Sequence, residues 1–413
     1  MKNKGTPRQP KVRYHFKNPE MDFFLQWIQG AQTFGGAEGG ECFYTASKIK
    51  DGSPESWVNE WTSMAKRVYA RGQLSLDNNH KVSARESFLR AFVYHRASLV
   101  YMSPVLEPEK YKQEYEKSQE YFRLAAKLME PRLTVENIPF EDYQLPAYYQ
   151  PNPKGIVAPT LIMLGGGDTF VEDLYPYIGP AAQRRNWNLL IVDFPGQGIL
   201  PYYGKTWRAD AEKPMKSVID HLLKMPEVNP NTIFCYGISA GGYLATRTAA
   251  YEKRLAANAA CSVITDLSGV WNRRFTDLWE KAEKSPIHKI IKKWVQIKHK
   301  AYVTMVDTYV WRMNAKTPQG LITATSDCVV DTSLIDKPFL NINSEQELCS
   351  PLFTGFRKRL MEGALNPLNK SVVMPANEGA DTHAIGSNLS LMSQVVFDWF
   401  EEVLSNDYSF KKF

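Results

Sequence analysis

The stretch "TIFCYGISAGGYLATRTAAY", residues 232–251, decides the fold class. It starts as a short apolar run of strand formers, tightens into Gly237-Ile238-Ser239-Ala240-Gly241, and continues as a helix-compatible run. Strand, sharp turn and helix in that order make G-x-S-x-G more than a common pentapeptide. The flanking glycines let the backbone bend so that the Ser239 hydroxyl stands above the sheet. The same bend aims the Ala240 N–H, near a helix N-terminus, at a developing oxyanion. The plainer alternative is a small residue in a glycine-rich turn.

Working outward, short apolar runs recur at "PTLIML" (159–164), "NLLIV" (188–192), "ANAACSVI" (257–264), "PFLNIN" (338–343) and "SVVMP" (371–375), separated by helical stretches. Runs that are apolar on both faces of a strand, alternating with helices, indicate an α/β fold with a mostly parallel sheet covered on both sides. Leu391, Val395, Trp399 and Val403, four apart, predict a closing helix over 387–404.

Upstream of residue 131 the pattern is helical. Ser53-Pro54 reads as an N-cap followed by proline at the first helical position, and Trp57, Trp61, Met64 and Val68 form one stripe. Further helices are expected over 82–102, carrying Phe88, Phe92, His95 and Leu99, and over 108–129, carrying Tyr111, Tyr115, Phe122 and Met129. Residues 21–130 are therefore expected to form a helical cap domain, preceded by a loose polar arm at 1–20. "RLTVENIPF" and "YQLPAYYQP" predict two strands leading into a core over 131–413. The Trp- and Lys-rich stretch of about 266–335 is too long for a simple connection and is expected to be an inserted lid. Within it, "SPIHKIIKKWVQIKHK" (285–300) fits a lid better than an interfacial membrane helix.

A chain of 413 residues, 44% apolar and 12% aromatic, can bury a large core. Its net charge of +6 comes from 50 basic and 44 acidic residues mixed along the chain, without the basic footprint of a nucleic-acid binder. Cys42, Cys235, Cys261, Cys328 and Cys349 are scattered and odd in number, which argues for free thiols. The opening residues carry no apolar signal region and no run is long enough to span a bilayer, so the expectation is a cytoplasmic protein without stable membrane insertion. No H-E-x-x-H, ligand-spaced histidine set or Walker loop occurs, so neither metal nor cofactor is expected. Homodimer formation is left open.

A serine hydroxyl needs a base and an orienting acid, here expected in the order Ser, acid, His. His383, in "ANEGADTHAIG" between the last strand and the last helix, is the histidine after Ser239 placed in a loop at a strand's carboxyl end. His288 and His299 lie in the lysine-rich run, and His95 on an apolar helix face. For the acid, Glu347 in "KPFLNINSEQELCSP" is the candidate best placed, with Glu345 and Asp381 as rivals. The loop "LGGGDTF" (164–170) lets backbone approach a substrate, and the Gly167 N–H is the expected second oxyanion donor. A dinucleotide fingerprint fails because Phe170 stands where its last glycine would be.

Taken together, "GGGDTFVEDLY", "DFPGQG" (193–198), "GISAGGYLATRTAA" and the upstream "SARESFLRAFVYHRAS" resemble one branch of the α/β-hydrolases. That branch includes the fermentation-respiration switch protein family, dihydroxypseudooxynicotine hydrolase and fungal polyketide-shortening pigment hydrolases. The resemblance, from about Trp57 to Leu404, implies an α/β-hydrolase fold with an N-terminal cap and a site between cap and core. It implies Ser239 as nucleophile, His383 as base, Glu347 where the branch usually carries Asp, and the Gly167 and Ala240 amides as an oxyanion hole. The expected reaction is cleavage of an ester or a ketone-adjacent carbon–carbon bond in a small, aromatic or polyketide-like molecule. An acyltransferase or cyclase on the same residues, or a non-catalytic binding protein, are the rivals.

Overall fold

The computed structural model describes residues 11–271, 284–287, 290 and 300–406. Five helices come first: α1 (Pro19–Gly30), α2 (Gly39–Lys48), α3 (Pro54–Asp77), α4 (Lys81–Leu99) and α5 (Pro108–Lys127). The Ser53 hydroxyl caps α3 by accepting from the Ser56 N–H at 3.3 Å, and Trp57, Trp61, Met64 and Val68 are all buried. Helix α1 starts just as definitely, because the Asn18 side chain accepts from Glu20 and Met21. The expected loose arm differs in its described part. Asp22, itself buried, accepts the N–H groups of Tyr14, His15 and Phe16, and Phe16 packs into the core.

The chain then builds β1 (Thr134–Phe140), β2 (Tyr143–Gln150), β3 (Ala158–Leu164), α6 (Tyr175–Arg184), β4 (Asn188–Val192), α7 (Glu212–Leu222), β5 (Val228–Ile238), α8 (Gly241–Tyr251) and β6 (Ala257–Cys261). After the insertion come β7 (Phe339–Ser344) and β8 (Lys370–Met374). The eight strands form one sheet in the order β1-β2-β4-β3-β5-β6-β7-β8. β1 and β2 pair antiparallel with their neighbours, and β4, β3, β5, β6, β7 and β8 run parallel.

The continuous apolar runs are explained by two cores of alternate strand residues. Leu161, Met163, Leu189 and Ile191 face the cap, α6 and the last helix, whereas Ile162, Leu164, Leu190 and Val192 face α7 and α8. One strand ends early: the run expected to reach residue 264 stops at Cys261, which frees Ser262 to turn toward the site.

The described ends of the insertion return together. Leu267 donates to the Cys328 carbonyl and Val330 to that of Thr265. Helices α9 (Lys300–Arg312) and α10 (Gly320–Ala324) follow on the returning side. Most of 272–299, including most of the basic run 285–300 with His288 and His299, lies outside the described residues. Beyond β7, α11 (Glu345–Leu348), α12 (Pro351–Gly363) and α13 (Leu389–Asn406) complete the fold. The five cysteines are free, four of them buried and Cys349 exposed. No helix among the described residues is long and apolar enough to cross a membrane.

Candidate active site

Ser239 sits at the tip of the β5–α8 turn with φ at 55°, in the left-handed region that a non-glycine residue enters only when its surroundings hold it there. Its N–H donates to the Cys261 carbonyl at 2.7 Å. The two motif glycines have no room for a side chain: a Cβ on Gly237 would run into the Gly241 carbonyl, and one on Gly241 into the Gly165 carbonyl. The pentapeptide is thus dictated by the close approach of α8 to the β3 and β5 ends.

The Ser239 Oγ lies 2.8 Å from His383 Nε2, and His383 Nδ1 lies 2.6 Å from Glu347 Oε1. The structure therefore brings Ser239, His383 and Glu347 into one hydrogen-bonded line across three loops at the carboxyl edge of the sheet. The His383 turn is held from below. Burial pushes the Tyr177 phenol well above its usual range, so it stays neutral and donates to the Ala384 carbonyl at 2.5 Å.

Glu347 is fully buried, and its second oxygen is fully occupied: Oε2 accepts the Ser262 hydroxyl at 2.5 Å and the Ser344 N–H at 3.1 Å. The Ser344 Oγ in turn accepts the Glu347 N–H at 3.2 Å, a reciprocal cap on the first turn of α11. The rival acids are engaged elsewhere. Glu345 is paired at 2.8 Å with Lys11 Nζ, and Asp381 accepts the Lys11 N–H at 3.1 Å. His95 is buried 2.9 Å from a Glu114 carboxylate oxygen and does not line the cavity that holds Ser239.

The glycine loop after β3 adjoins the serine. A Cβ on Gly166 would stand 3.3 Å from Ser239 Oγ, and one on Gly167 would stand 3.3 Å from the Ala240 Cβ. The Gln197 side chain, from "DFPGQG", donates to the Gly165 carbonyl at 2.5 Å and to the Gly166 carbonyl at 3.3 Å. In a trans peptide the N–H points opposite to the carbonyl, so the Gly167 N–H faces away from Gln197.

A cavity between cap and core opens onto Ser239 and His383. Its cap side is apolar, with Phe23, Phe24, Trp27 and Phe92 from α1 and α4, while Arg96, Asp168 and Asp173 make one polar end. Burial raises the Asp173 carboxyl, and the neighbouring Arg96 guanidinium opposes that shift. Sequence reasoning did not find the α1 residues, Ser262, Gln197 or Arg96. The S-E-Q-E spacing of residues 344–347 was a legible capping signal that favours Glu347 over Glu345. Among the described residues no group of His, Cys, Asp or Glu could hold a metal ion.

The sheet order, the strand–Ser239–helix turn and the cap define the α/β-hydrolase fold, and known proteins agree. The crystal structure of the 2,6-dihydroxy-pseudo-oxynicotine hydrolase superposes with a TM-score of 0.71 at 18% identity, covering 92% of this chain and 97% of that one. Curated relatives include the hydrolyase ccsE of Aspergillus clavatus, 34% identical over 279 residues, 62% of this chain and 63% of that protein. The 20-hydroxy-prefusarin hydrolase FUS2 of Gibberella moniliformis is 29% identical over 275 residues, 63% of this chain and 64% of that protein. These matches fall in the branch that the sequence motifs resemble. They span less than two thirds of the length of the curated relatives. No family model matches the chain.

Proposed function

We propose that this chain is a serine hydrolase in which Ser239 is the nucleophile, His383 the general base, Glu347 the orienting acid, and the Gly167 and Ala240 amides the oxyanion donors. The observation that carries the reading is the continuous line from Ser239 Oγ through His383 to a buried, multiply hydrogen-bonded Glu347. Glu347 accepts from His383 Nδ1–H and so leaves Nε2 free to take the serine proton.

Ser239 Oγ attacks a substrate carbonyl as its proton passes to His383 Nε2, and the two amides receive the oxyanion. Collapse of the tetrahedral species breaks the bond to the leaving group, an alkoxide from an ester or, from a 1,3-dicarbonyl, the ketone enolate released by carbon–carbon cleavage, which takes the proton back from His383. Water, deprotonated by the same imidazole, then releases the acid from Ser239. The apolar cavity under α1 and α4 favours a small, aromatic or otherwise apolar acyl compound. The similar proteins described above, a hydrolyase and two hydrolases by name, support hydrolysis as the reaction class.

The test is turnover of aryl esters and of aromatic 1,3-diketones by the wild type and by Ser239→Ala. Wild-type cleavage of at least one class, abolished in a folded Ser239→Ala protein, is the expected result. Equal turnover by the variant refutes the assignment.

A further inference from the structure

Two arginines from distant parts of the chain converge on the loop that follows β3. Arg96, on α4 of the cap, sends Nε to Asp173 at 2.9 Å and Nη2 to the Asp168 carbonyl at 2.7 Å. Arg312, at the end of α9, sends Nη1 to the Thr169 carbonyl at 2.8 Å. Phe170 lies against both cations, with their guanidinium carbons 4.7 Å and 5.3 Å from its ring centroid.

Arg312 is costly as a purely structural residue. It is fully buried; beside the Thr169 carbonyl it meets the Tyr111 hydroxyl, and the buried Asp193 carboxylate acts on it from farther away without a direct contact. A buried guanidinium whose counter-charge does not touch it is expensive, and an apolar side chain of similar volume fills such a space more cheaply. What Arg312 does supply is a grip on backbone.

The gripped loop needs one. Gly165, Gly166 and Gly167 in succession leave the backbone with maximal freedom, whereas an oxyanion donor works only if it is already aimed when charge develops. Each carbonyl fixed by a side-chain donor sets a peptide plane and with it the direction of the next N–H. Gln197 sets the planes after Gly165 and Gly166, Arg96 the plane after Asp168, and Arg312 the plane after Thr169. Asp173, held by Arg96, also accepts the Phe170 N–H at 3.0 Å.

We infer that Arg96 and Arg312 are positioning residues that lock the Asp168–Phe170 end of this loop, so that docking of the cap and of α9 holds still the segment whose Gly167 amide, aimed by Gln197, faces the substrate oxygen. This rests on the serine-hydrolase reading above. It gives the cap and the returning insertion a part in the chemistry beyond enclosing the substrate.

The test compares two inhibitors of the same shape, a phenylalkyl trifluoromethyl ketone and the corresponding methyl ketone. Ser239 Oγ adds to the activated ketone, its proton moves to His383, and a hemiketal oxyanion forms; the methyl ketone binds without adding. In Arg96→Lys and Arg312→Lys, inhibition by the trifluoromethyl ketone should weaken on the order of 10²-fold, with the methyl ketone changed less than about threefold. The lysine variants keep the charge but lose the planar fork that holds a carbonyl while covering a ring. Equal weakening of both ketones, or of neither, overturns the inference. If wild-type protein shows no preference for the trifluoromethyl ketone, or Ser239→Ala keeps it, the underlying reading fails and this inference falls with it.

Discussion

Replacing Glu347 by Gln is a change of one atom whose consequence follows from the hydrogen-bond geometry. The Ser344 N–H points at Oε2 from 3.1 Å and is fixed by the backbone, so the glutamine carbonyl must occupy that position. The amide NH2 then faces His383 Nδ1, where the carboxylate oxygen now stands at 2.6 Å. Two donors cannot face one another, so the imidazole must place its proton on Nε2 and lose the ability to accept from Ser239. Loss of the correct tautomer in a Ser-His-acid site costs about 10⁴-fold in kcat, or roughly 5.4 kcal/mol of transition-state stabilisation. The volume is unchanged, so KM and the thermal midpoint should move little. The assay is steady-state hydrolysis of a chromogenic aryl ester at neutral pH, with thermal denaturation on the same samples. Glu345→Gln, which removes an exposed pairing with Lys11, should stay within about twofold. A Glu347→Gln enzyme within tenfold of wild type, or a larger loss in Glu345→Gln, would refute the reasoning.

Other consequences are as concrete. Ser262→Ala removes the 2.5 Å bond to Glu347 Oε2 and should lower kcat several-fold while leaving KM in place, measured with the same ester. Trp27→Ala and Phe24→Ala widen the cap side of the cavity and should raise KM for aryl-chain esters more than for acetate esters; equal effects on both would argue that the substrate lies elsewhere. Gly241→Ala forces a Cβ into the Gly165 carbonyl and should destabilise the fold by about 1–3 kcal/mol, read from chemical denaturation. Trp57→Ala empties a fully buried site and removes the Nε1 bond to the Ala97 carbonyl, and should cost about 3–5 kcal/mol.

Much of the fold was legible because its signals are local. Ser53-Pro54 and the Trp57–Val68 stripe fix α3, and the strand runs around Leu161, Leu190 and Phe234 are unbroken because both faces of the sheet are covered. The line through Ser239, His383 and Glu347 could be anticipated because each residue stands in the loop that follows a strand, where chain order and chemistry restrict the choice. What escaped depends on distance in sequence. The contribution of α1 to the cavity is invisible until Phe24 and Trp27 are set against Ser239, and the arm before it reads as loose because its anchors are carboxylates outside it, Asp22, Asp51 and Asp381, bonding backbone. Ser262 was hidden because its run looks like continuing strand, yet the strand stops one residue earlier. Arg96 and Arg312 carry no signal of their own, since nothing nearby in sequence reveals that both end on the Asp168–Phe170 backbone.

The central claim is that the Ser239 hydroxyl, and no other, becomes the attacking oxygen. Trypsin cuts after Lys224 and Arg247, so Ser239 falls in the peptide 225–247, where it is the only serine. Folded protein treated with a fluorophosphonate should carry one phosphonyl group on that peptide at Ser239, and His383→Ala should abolish the labelling. A stoichiometric adduct at another residue, or folded wild-type protein that hydrolyses esters yet takes no label, would contradict it.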